Sequence, residues 1–420
     1  MIIEKNIYEK RRADLRCALQ KQFPSFLGPI VVAAGFEDSR YPFRQDSSFY
    51  YLTGLEEPGV VLVMSPEGKN ILYAPVYAYK RELWTNSRVY NKQGLNQLGI
   101  DDIKPLGQIC AEGVSLFLTA DEYCYLIQDL QQATSVCVIQ EGREHKALFS
   151  RWGIADKAIS GFSLVSRMRR KKDRQEIEQI YTAIDGTMAA QEAAAHVIAP
   201  EQYEYQVQAG VEFIFTQSGC RTAFPTIVAS GSRATKLHYT DNNKPMKNGE
   251  LVVVDCGTEY QHYCADISRT YPVSGIFNKR QKDLYTLVLK TQDHIARLAR
   301  PGYYLFNKDV PEKSLHHCAV KFLQEQGYDT FFTHTVGHFL GLDVHDVGLR
   351  AEPLQEGDVF TIEPGIYIPH EGIGIRIEDD YWMTYDGAEC LSQELAREPE
   401  EIEELMQQRG EQEEEEDDNY

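Results

Sequence analysis

Two aspartates in the stretch Glu250 to Thr270 carry side chains that could hold metal ions. Asp255 follows the β-branched run LVVV, and Asp266 opens a run that alternates like a second strand. Aspartate is depleted in strands and is almost never buried without a partner, so carboxylates in such surroundings indicate bound cations. Taken alone, each aspartate could instead cap a turn or pair with an arginine such as Arg269.

Later segments supply candidate partners for these aspartates. The segment THTVGHFLGLDVHD contains His338, but Thr335 stands where the zinc motif H-E-x-x-H requires glutamate, so that motif is excluded. Glu363 ends an apolar strand pattern before a Pro-Gly turn. Glu378 lies two residues after Arg376, which places both on the same face of a predicted strand.

Together these residues predict a carboxylate-rich metal site. Four carboxylates and one imidazole suit hard or borderline divalent ions such as Mn²⁺. Two ions about 3.5–4 Å apart, sharing bridging carboxylates, would balance the charge better than one. The alternative is a set of unrelated surface carboxylates and a core histidine, which the apolar or glycine-bounded surroundings of all five disfavour. The candidate ligands are Asp255, Asp266, His338, Glu363 and Glu378.

Length, charge and cysteine content narrow the class of protein. A chain of 420 residues predicts about two or three domains. More than half of the net charge of −20 lies after residue 393, in a segment that contains 13 Asp and Glu but only two Arg. The rest of the chain is mildly acidic, which argues against nucleic-acid binding. No apolar stretch is long enough to span a membrane. Nine cysteines without a C-x-x-C pair, and a charged N-terminus without a signal-peptide pattern, predict a cytoplasmic protein with reduced thiols.

The elements that position the candidate ligands fall in the second part of the chain. Residues 1–166 mix strand and helix patterns and predict an α/β domain. The basic run in SRMRRKKDRQEIEQI leads into a long helical pattern that continues to about Ala195. Two rounds of helix, helix and strands then indicate an α+β domain over 167–408, followed by a disordered acidic tail, 409–420. The last strands of the α+β domain are predicted at Thr333–Leu340, Val359–Glu363 and Ile373–Glu378.

Several segments, in order, resemble the motifs of the pita-bread metallopeptidases, and within that group the aminopeptidase P family. These are LHYTDN, VVDCGTEYQHYCADISRTYPVSGIF, HTVGHFLGLDVHDVG, FTIEPGIYI and GIGIRIEDD. In the first half, YPFRQDSSFYYLTGLEEPGVVLVM is similar to the N-terminal domain of that family, and REPEEIEELM resembles its C-terminal segment. The resemblance implies an α/β N-terminal domain, a pita-bread (creatinase/aminopeptidase-like) catalytic domain and release of an N-terminal residue that precedes proline.

The resemblance also implies roles for the ligands. Asp255 and Asp266 would bind a first metal ion, Asp266 and Glu378 would bridge, and His338 with Glu363 would complete a second site. A hydroxide bridging the two ions would attack the scissile carbonyl. Peptides that begin Xaa-Pro are the implied partners, and a homo-oligomer (dimer or tetramer) is the implied assembly.

Further side chains receive roles from the same resemblance. His238 and His345 would hydrogen-bond the substrate and the tetrahedral oxyanion. Arg376 would orient a bridging carboxylate or assist proton movement. The residues implied to line the substrate site are His334, Tyr367 and Trp84.

Other functions share part of this pattern. Prolidase has the same five ligands but cleaves only Xaa-Pro dipeptides; the short link between Val347 and Glu363 and the REPEEIEELM ending favour aminopeptidase P. Methionine aminopeptidase lacks an N-terminal domain of this size, and creatinase uses no metal. A pita-bread domain that only binds other proteins would lack the ligands, whereas every ligand position is filled here.

Overall fold

The computed structural model describes residues 7–37, 41–76, 95, 98–108 and 120–417. The chain divides into two compact units, Met1–Arg169 and Arg170–Tyr420. None of the helices in the described ranges combines the length and apolarity that a membrane crossing requires. The eight cysteines in these ranges are all free thiols.

The first unit is built on one mixed sheet of six short strands flanked by helices. Apolar runs such as IVVA and VLVM are buried along their whole length, which places them in the centre of the sheet. The strands are β1 (Ile30–Ala33), β2 (Val61–Met64), β3 (Asn70–Ala74), β4 (Asp102–Pro105), β5 (Val136–Val138) and β6 (Ala158–Ser160). The helices are α1 (Ile7–Gln22), α2 (Ser47–Thr53), α3 (Cys124–Gln131), α4 (Arg143–Arg151) and α5 (Phe162–Arg170).

The strand order is β4-β3-β2-β1-β5-β6. Strand β1 pairs antiparallel with β2 and parallel with β5, and β3 pairs parallel with β4. Helices separate β1 from β2, β4 from β5 and β5 from β6 along the chain, and this mixture of strands and helices confirms the α/β class predicted for the N-terminal half.

The second unit places antiparallel strands among long helices. Its helices are α6 (Arg174–Val197), α7 (Glu204–Gln217), α8 (Lys279–Leu298), α9 (Leu315–Glu325) and α10 (Pro399–Asp417). Its first strands are β7 (Arg221–Thr222), β8 (Ile227–Ser230), β9 (Leu251–Cys256), β10 (Thr258–Tyr260), β11 (Tyr263–Cys264) and β12 (Ile267–Pro272). After α9 come β13 (Val359–Ile362), β14 (Gly365–Ile368), β15 (Ile373–Arg376), β16 (Asp379–Met383) and β17 (Ala388–Cys390).

Two antiparallel groups form the centre of this unit, β12-β9-β8 and β13-β16-β17, with β14 and β15 as a separate hairpin. One apolar core joins strands and helices; it includes Val254 of β9, Tyr271 of β12, Leu289 of α8 and Phe360 of β13. The predicted double round of two helices and then strands is present in the order α6-α7-β8-β9-β12 and α8-α9-β13-β14-β15-β16.

Residues 171–173 of the basic run are not helical and separate α5 from α6, the long helix that follows. Asp173 begins α6 through a capping box, because its side chain accepts from the Glu176 N–H while the Glu176 side chain accepts from the Asp173 N–H. In the gap, the Lys172 N–H donates to the Gly357 carbonyl at 2.9 Å. The long helix predicted after the basic run is therefore present as α6, which ends at Val197.

The prediction of a strand at Thr333–Leu340 is wrong, since this segment forms only an isolated bridge to β13. Its backbone still follows β13, with the Thr361 N–H donating to the His338 carbonyl at 2.9 Å. Gly337 approaches β13 so closely that a Cβ there would lie 2.0 Å from the Thr361 carbonyl oxygen. The glycine thus allows the irregular segment to hold His338 directly beside β13.

At the C-terminus the last helix enters the segment 409–420, which the sequence analysis predicts to be an acidic tail. Helix α10 continues to Asp417, through most of the acidic segment 409–420. The boundaries 1–166, 167–408 and 409–420 stay predictions.

Candidate metal centre

The antiparallel pair β9–β12 positions the two aspartates. Asp255 lies opposite Ser268 in the register of the pair, and Asp266 immediately precedes β12. Gly257 follows β9 and lies so close to the returning chain that a Cβ there would be 1.9 Å from the Ala265 carbonyl oxygen. No side chain fits at this position, so the backbone between the two aspartates can close tightly.

His338 brings a neutral imidazole to these carboxylates. Its Nδ1 lies 3.1 Å from the Phe339 carbonyl oxygen, which makes Nδ1 the protonated nitrogen and leaves Nε2 with a free lone pair. Burial lowers the pKa of His338 to about 3, so the ring carries no charge at neutral pH. Nε2 lies 3.4 Å from Asp266 Oδ2, 3.6 Å from Glu363 Oε1 and 3.9 Å from Glu378 Oε1.

Arg376 and Ser268 connect the carboxylates on the protein side. The Arg376 guanidinium donates to Asp255 Oδ2 at 2.6 Å, to Ser268 Oγ at 2.8 Å and to the Tyr367 hydroxyl at 3.1 Å. The Ser268 hydroxyl in turn donates to Glu378 Oε2 at 2.9 Å. Two of the candidate ligands are therefore fixed in orientation by one arginine and one serine.

The electrostatics of this cluster fit divalent cations. Burial and the neighbouring carboxylates raise the pKa values of Asp266 and Glu378 well above their ordinary range, and burial raises the pKa of Glu363 to about 7. Asp255 Oδ1 and Asp266 Oδ1 are buried and accept no hydrogen bond from any described residue. Ligand atoms of Asp266, His338 and Glu378 lie within 4.8 Å of one another. Buried carboxylates that repel one another and retain free lone pairs are the donor set that hard cations require.

A cavity of about 210 Å³ opens onto the cluster. Of the twelve residues that line it, nine are predicted site residues, including all five candidate ligands. Tyr367 does not line it; its side chain is 3% exposed and lies behind His334 and Arg376. Trp84 lies outside the described residues. The lining residues are Leu237, His238, Asp255, Asp266, His334, Thr335, His338, His345, Arg350, Glu363, Arg376 and Glu378.

The accessory histidines occupy distinct places in this cavity. The His345 ring lies 4.1 Å from the His338 ring, centroid to centroid. His334 Nδ1 lies 2.9 Å from the Thr335 carbonyl oxygen and is the protonated nitrogen, so Nε2 accepts from the Tyr367 hydroxyl at 2.9 Å. Burial lowers the pKa of His334 to about 3, which keeps this ring neutral as well.

Sequence reasoning missed several residues of the site. Ser268 could have been predicted from its position two residues after Asp266, because residues two apart in a strand face the same side. Arg350, Leu237 and Thr335 line the cavity but stand in loops without a pattern of their own.

A buried carboxylate supports the loop that carries His238. Glu204 is 0% exposed and lies in the first turn of α7. Tyr239, the residue after His238, donates its hydroxyl hydrogen to Glu204. Glu204 therefore holds this edge of the cavity in place. Its oxygens accept hydrogen bonds from Ser230 N (2.9 Å), Ser230 Oγ (2.8 Å), Arg233 Nε (2.9 Å), Tyr239 OH (2.9 Å) and Lys244 N (3.1 Å).

Replacing Glu204 with glutamine is expected to lower the free energy of unfolding by about 1–3 kcal/mol. Each carboxylate oxygen accepts from a backbone N–H, so an amide NH₂ on either side would face another donor. Urea unfolding measures the effect. Glu201→Gln, at an exposed position, is the control and should change stability by less than about 0.5 kcal/mol. Equal stability of the two variants would mean that the Glu204 contacts contribute nothing.

Comparisons with known proteins place this geometry in context. The family model described as metallopeptidase family M24 matches residues 178–385, and the model described as aminopeptidase P, N-terminal domain, matches residues 8–124. A Xaa-Pro aminopeptidase of Escherichia coli (strain K12) is 32% identical over 434 residues, which cover 96% of this chain and 98% of that protein.

Two solved structures show the same likeness in three dimensions. A putative aminopeptidase P from Bacillus anthracis superposes with a TM-score of 0.84 at 30% identity, covering 97% of this chain and 99% of that one. A zinc-substituted E. coli aminopeptidase P in complex with product superposes with a TM-score of 0.81 at 29% identity, covering 97% and 99%. The likeness therefore spans both units and the cavity.

Proposed function

Since the chain belongs to metallopeptidase family M24 and, within it, to the Xaa-Pro aminopeptidases, we propose that it removes the residue before proline by means of two divalent metal ions. Its fold is the expected one, an α/β N-terminal domain and a pita-bread catalytic domain. The observation that carries the proposal is the position of His338, whose neutral Nε2 faces carboxylates from three separate segments at 3.4–3.9 Å.

In this proposal Asp255 and Asp266 would hold the first ion, His338 and Glu363 would hold the second, and Asp266 and Glu378 would be shared between them. The free oxygens of the two aspartates and the raised pKa values of the glutamates support these assignments. When bound, the ions lower the pKa of water to supply the nucleophile and polarise the scissile carbonyl. Mn²⁺ is the proposed metal because carboxylate-rich sites favour hard or borderline ions.

The side chains around the ions have separate tasks. Arg376 orients Asp255 through its hydrogen bond to Oδ2, and Ser268 transmits the same constraint to Glu378. His345 and His238 line the open side of the cavity, where they can donate to the substrate carbonyl and to the oxyanion that forms from it.

His334 and Thr335 line the cavity on the side assigned to proline, and Tyr367 acts from behind by fixing the His334 ring. An Xaa-Pro amide has no N–H, so peptidases that bind this donor handle it poorly. A cavity that acts on the carbonyl rather than on the amide hydrogen avoids that requirement.

The remaining assignments rest on the family and the composition. We assign residues 1–166 to the N-terminal aminopeptidase P-type domain, 167–408 to the catalytic domain and 409–420 to an acidic tail. The free cysteines support a cytoplasmic location. The family resemblance supports a dimer or tetramer, with Trp84 reaching a neighbouring active site.

Hydrolysis of a Xaa-Pro-Xaa tripeptide and of the matching Xaa-Pro dipeptide tests the function. The chelated protein should release nothing, and addition of Mn²⁺ should restore release of the first residue from the tripeptide while the dipeptide is spared. Metal loading should also raise the melting temperature, because ions that bind only the folded state stabilise it.

Three outcomes separate the alternatives. Cleavage confined to the dipeptide would identify a prolidase. Activity that survives complete chelation would contradict metal dependence. Protein that takes up no metal and cleaves neither peptide would overturn the proposed function.

A further inference from the structure

Two basic side chains of the run before α6, Arg170 and Lys172, are buried within the second unit. Arg170 and Lys172 are 3% and 5% exposed, whereas Lys171 between them is exposed. The Arg170 guanidinium donates to both carboxylate oxygens of Asp358, at 2.8 and 2.6 Å, and lies over the Phe339 ring at 4.7 Å. Arg170 and Lys172 therefore bind carboxylates of the segment 339–358 and do not point into solvent.

Lys172 reaches the residue next to a predicted substrate contact. Its Nζ lies 3.0 Å from Asp346 Oδ2, and both side chains are 1% exposed. Asp346 directly follows His345 in the chain. The Asp346 N–H also donates to the Phe339 carbonyl at 2.9 Å, which closes the loop 339–346 on itself.

The ion pair packs directly against the backbone of this loop. A Cβ on Gly341 would lie 2.2 Å from Asp346 Oδ2 and 2.9 Å from Lys172 Nζ, so only glycine permits the approach. The Gly341 carbonyl accepts from the Cys264 N–H at 2.8 Å, which ties the loop to β11. Lys172, Asp346 and the loop thus form one packed structure in which a shift of the pair moves the backbone at His345.

His345 itself has few other constraints. Its ring contacts His338 on one side, at 4.1 Å, and is exposed to the cavity on the other. The loop backbone therefore determines where the imidazole stands relative to bound substrate.

We propose that Lys172 is a positioning residue for catalysis, which acts through Asp346 to fix the His345 imidazole at the cavity. This inference rests on the proposed function, in which His345 contacts the substrate. A misplacement of a catalytic group by about 1 Å can lower the rate about 100-fold, so a side chain remote from the substrate can matter through geometry alone.

A double-mutant cycle separates positioning from stability. The variants are Lys172→Met, His345→Ala and the two combined, with Lys171→Met as the matched control at the exposed neighbouring position. The measurements are kcat and KM on a Xaa-Pro-Xaa tripeptide, together with bound metal per chain. Lys172→Met should lower kcat by up to about 100-fold with metal content unchanged. In the His345→Ala background it should cause no further loss, because the two changes act on the same contact.

Two outcomes would overturn the proposal. Equal losses of kcat in both backgrounds would show that Lys172 does not act through His345. A loss that follows metal content would assign Lys172 to metal retention. The control Lys171→Met should retain the parent kcat.

A second pair of variants covers the case in which Lys172→Met does not fold. Lys172→Met combined with Asp346→Asn removes both buried charges and avoids an unpaired carboxylate. It should show the same loss of kcat, and Lys172→Arg, which keeps the charge, should regain part of it. Full activity of the doubly neutral variant would disprove the role. An inactive parent would refute the proposed function itself, whereas an active parent that tolerates every Lys172 change would refute only this inference.

Discussion

Replacing His338 with alanine is expected to reduce tripeptide hydrolysis to background and to release bound metal. The imidazole is the only nitrogen ligand of the candidate set, and three carboxylates face its Nε2 within 3.9 Å. Without the imidazole, the three carboxylates would still repel one another, and the metal would lose its nitrogen ligand. Metal stabilisation of transition-state charge contributes several kcal/mol, so the rate should fall on the order of 1,000-fold or more. Metal analysis and kcat/KM on the same preparation measure both effects.

The control for this variant is His370→Ala. The His370 side chain is 71% exposed and is not part of the cavity lining. It should keep the metal content and the activity of the parent. Full activity of His338→Ala would show that the metal site has been assigned to the wrong residues.

Replacing Arg269 with methionine is expected to lower the free energy of unfolding by about 3–5 kcal/mol. Arg269 and Asp379 are both 0% exposed, and their closest atoms are 2.7 Å apart. The guanidinium also donates to the Glu378 carbonyl at 2.9 Å and to the Ala396 carbonyl at 2.9 Å. Methionine would leave the Asp379 carboxylate buried without its counter-charge. The shift should be visible as a lower midpoint in urea unfolding, and kcat should fall because Glu378 loses a backbone support.

Arg280→Met is a matched control for this prediction. Arg280 and Glu371 form a pair of the same 2.7 Å length, but their side chains are 45% and 30% exposed. Exposed pairs contribute about 0–1 kcal/mol because water screens the charges. Similar losses in the two variants would contradict the idea that burial determines the effect.

Much of the frame of the site was predictable from local patterns. The run LVVV before Asp255 and the apolar run before Glu363 are strands in the structure, since β-branched and apolar residues in short runs favour buried strands. The predicted ligands Asp266, His338, Glu363 and Glu378 lie together in one cavity, although their role as ligands stays a prediction until metal is measured.

The supporting contacts were not predictable because they join distant parts of the chain. Arg170 and Asp358 are 188 residues apart, and Lys172 and Asp346 are 174 apart. A basic run beside a helical pattern is usually a solvated surface, and nothing local marks it as buried. The strand expected at Thr333–Leu340 failed for a related reason, since Gly337 permits close packing that replaces regular pairing.

The Ser268–Glu378 contact has a consequence for the order of events during synthesis. The two residues are separated by 110 positions, so the ribosome adds Glu378 roughly 5–20 s after Ser268 at usual elongation rates. Until Glu378 is added, the Ser268 hydroxyl lacks the carboxylate to which it donates. Asp266 likewise lacks one of the residues proposed to bind metal with it. If the proposed metal site forms, we expect metal uptake on the nascent chain only after Glu378 has been added, when residues from both halves of the catalytic domain are available.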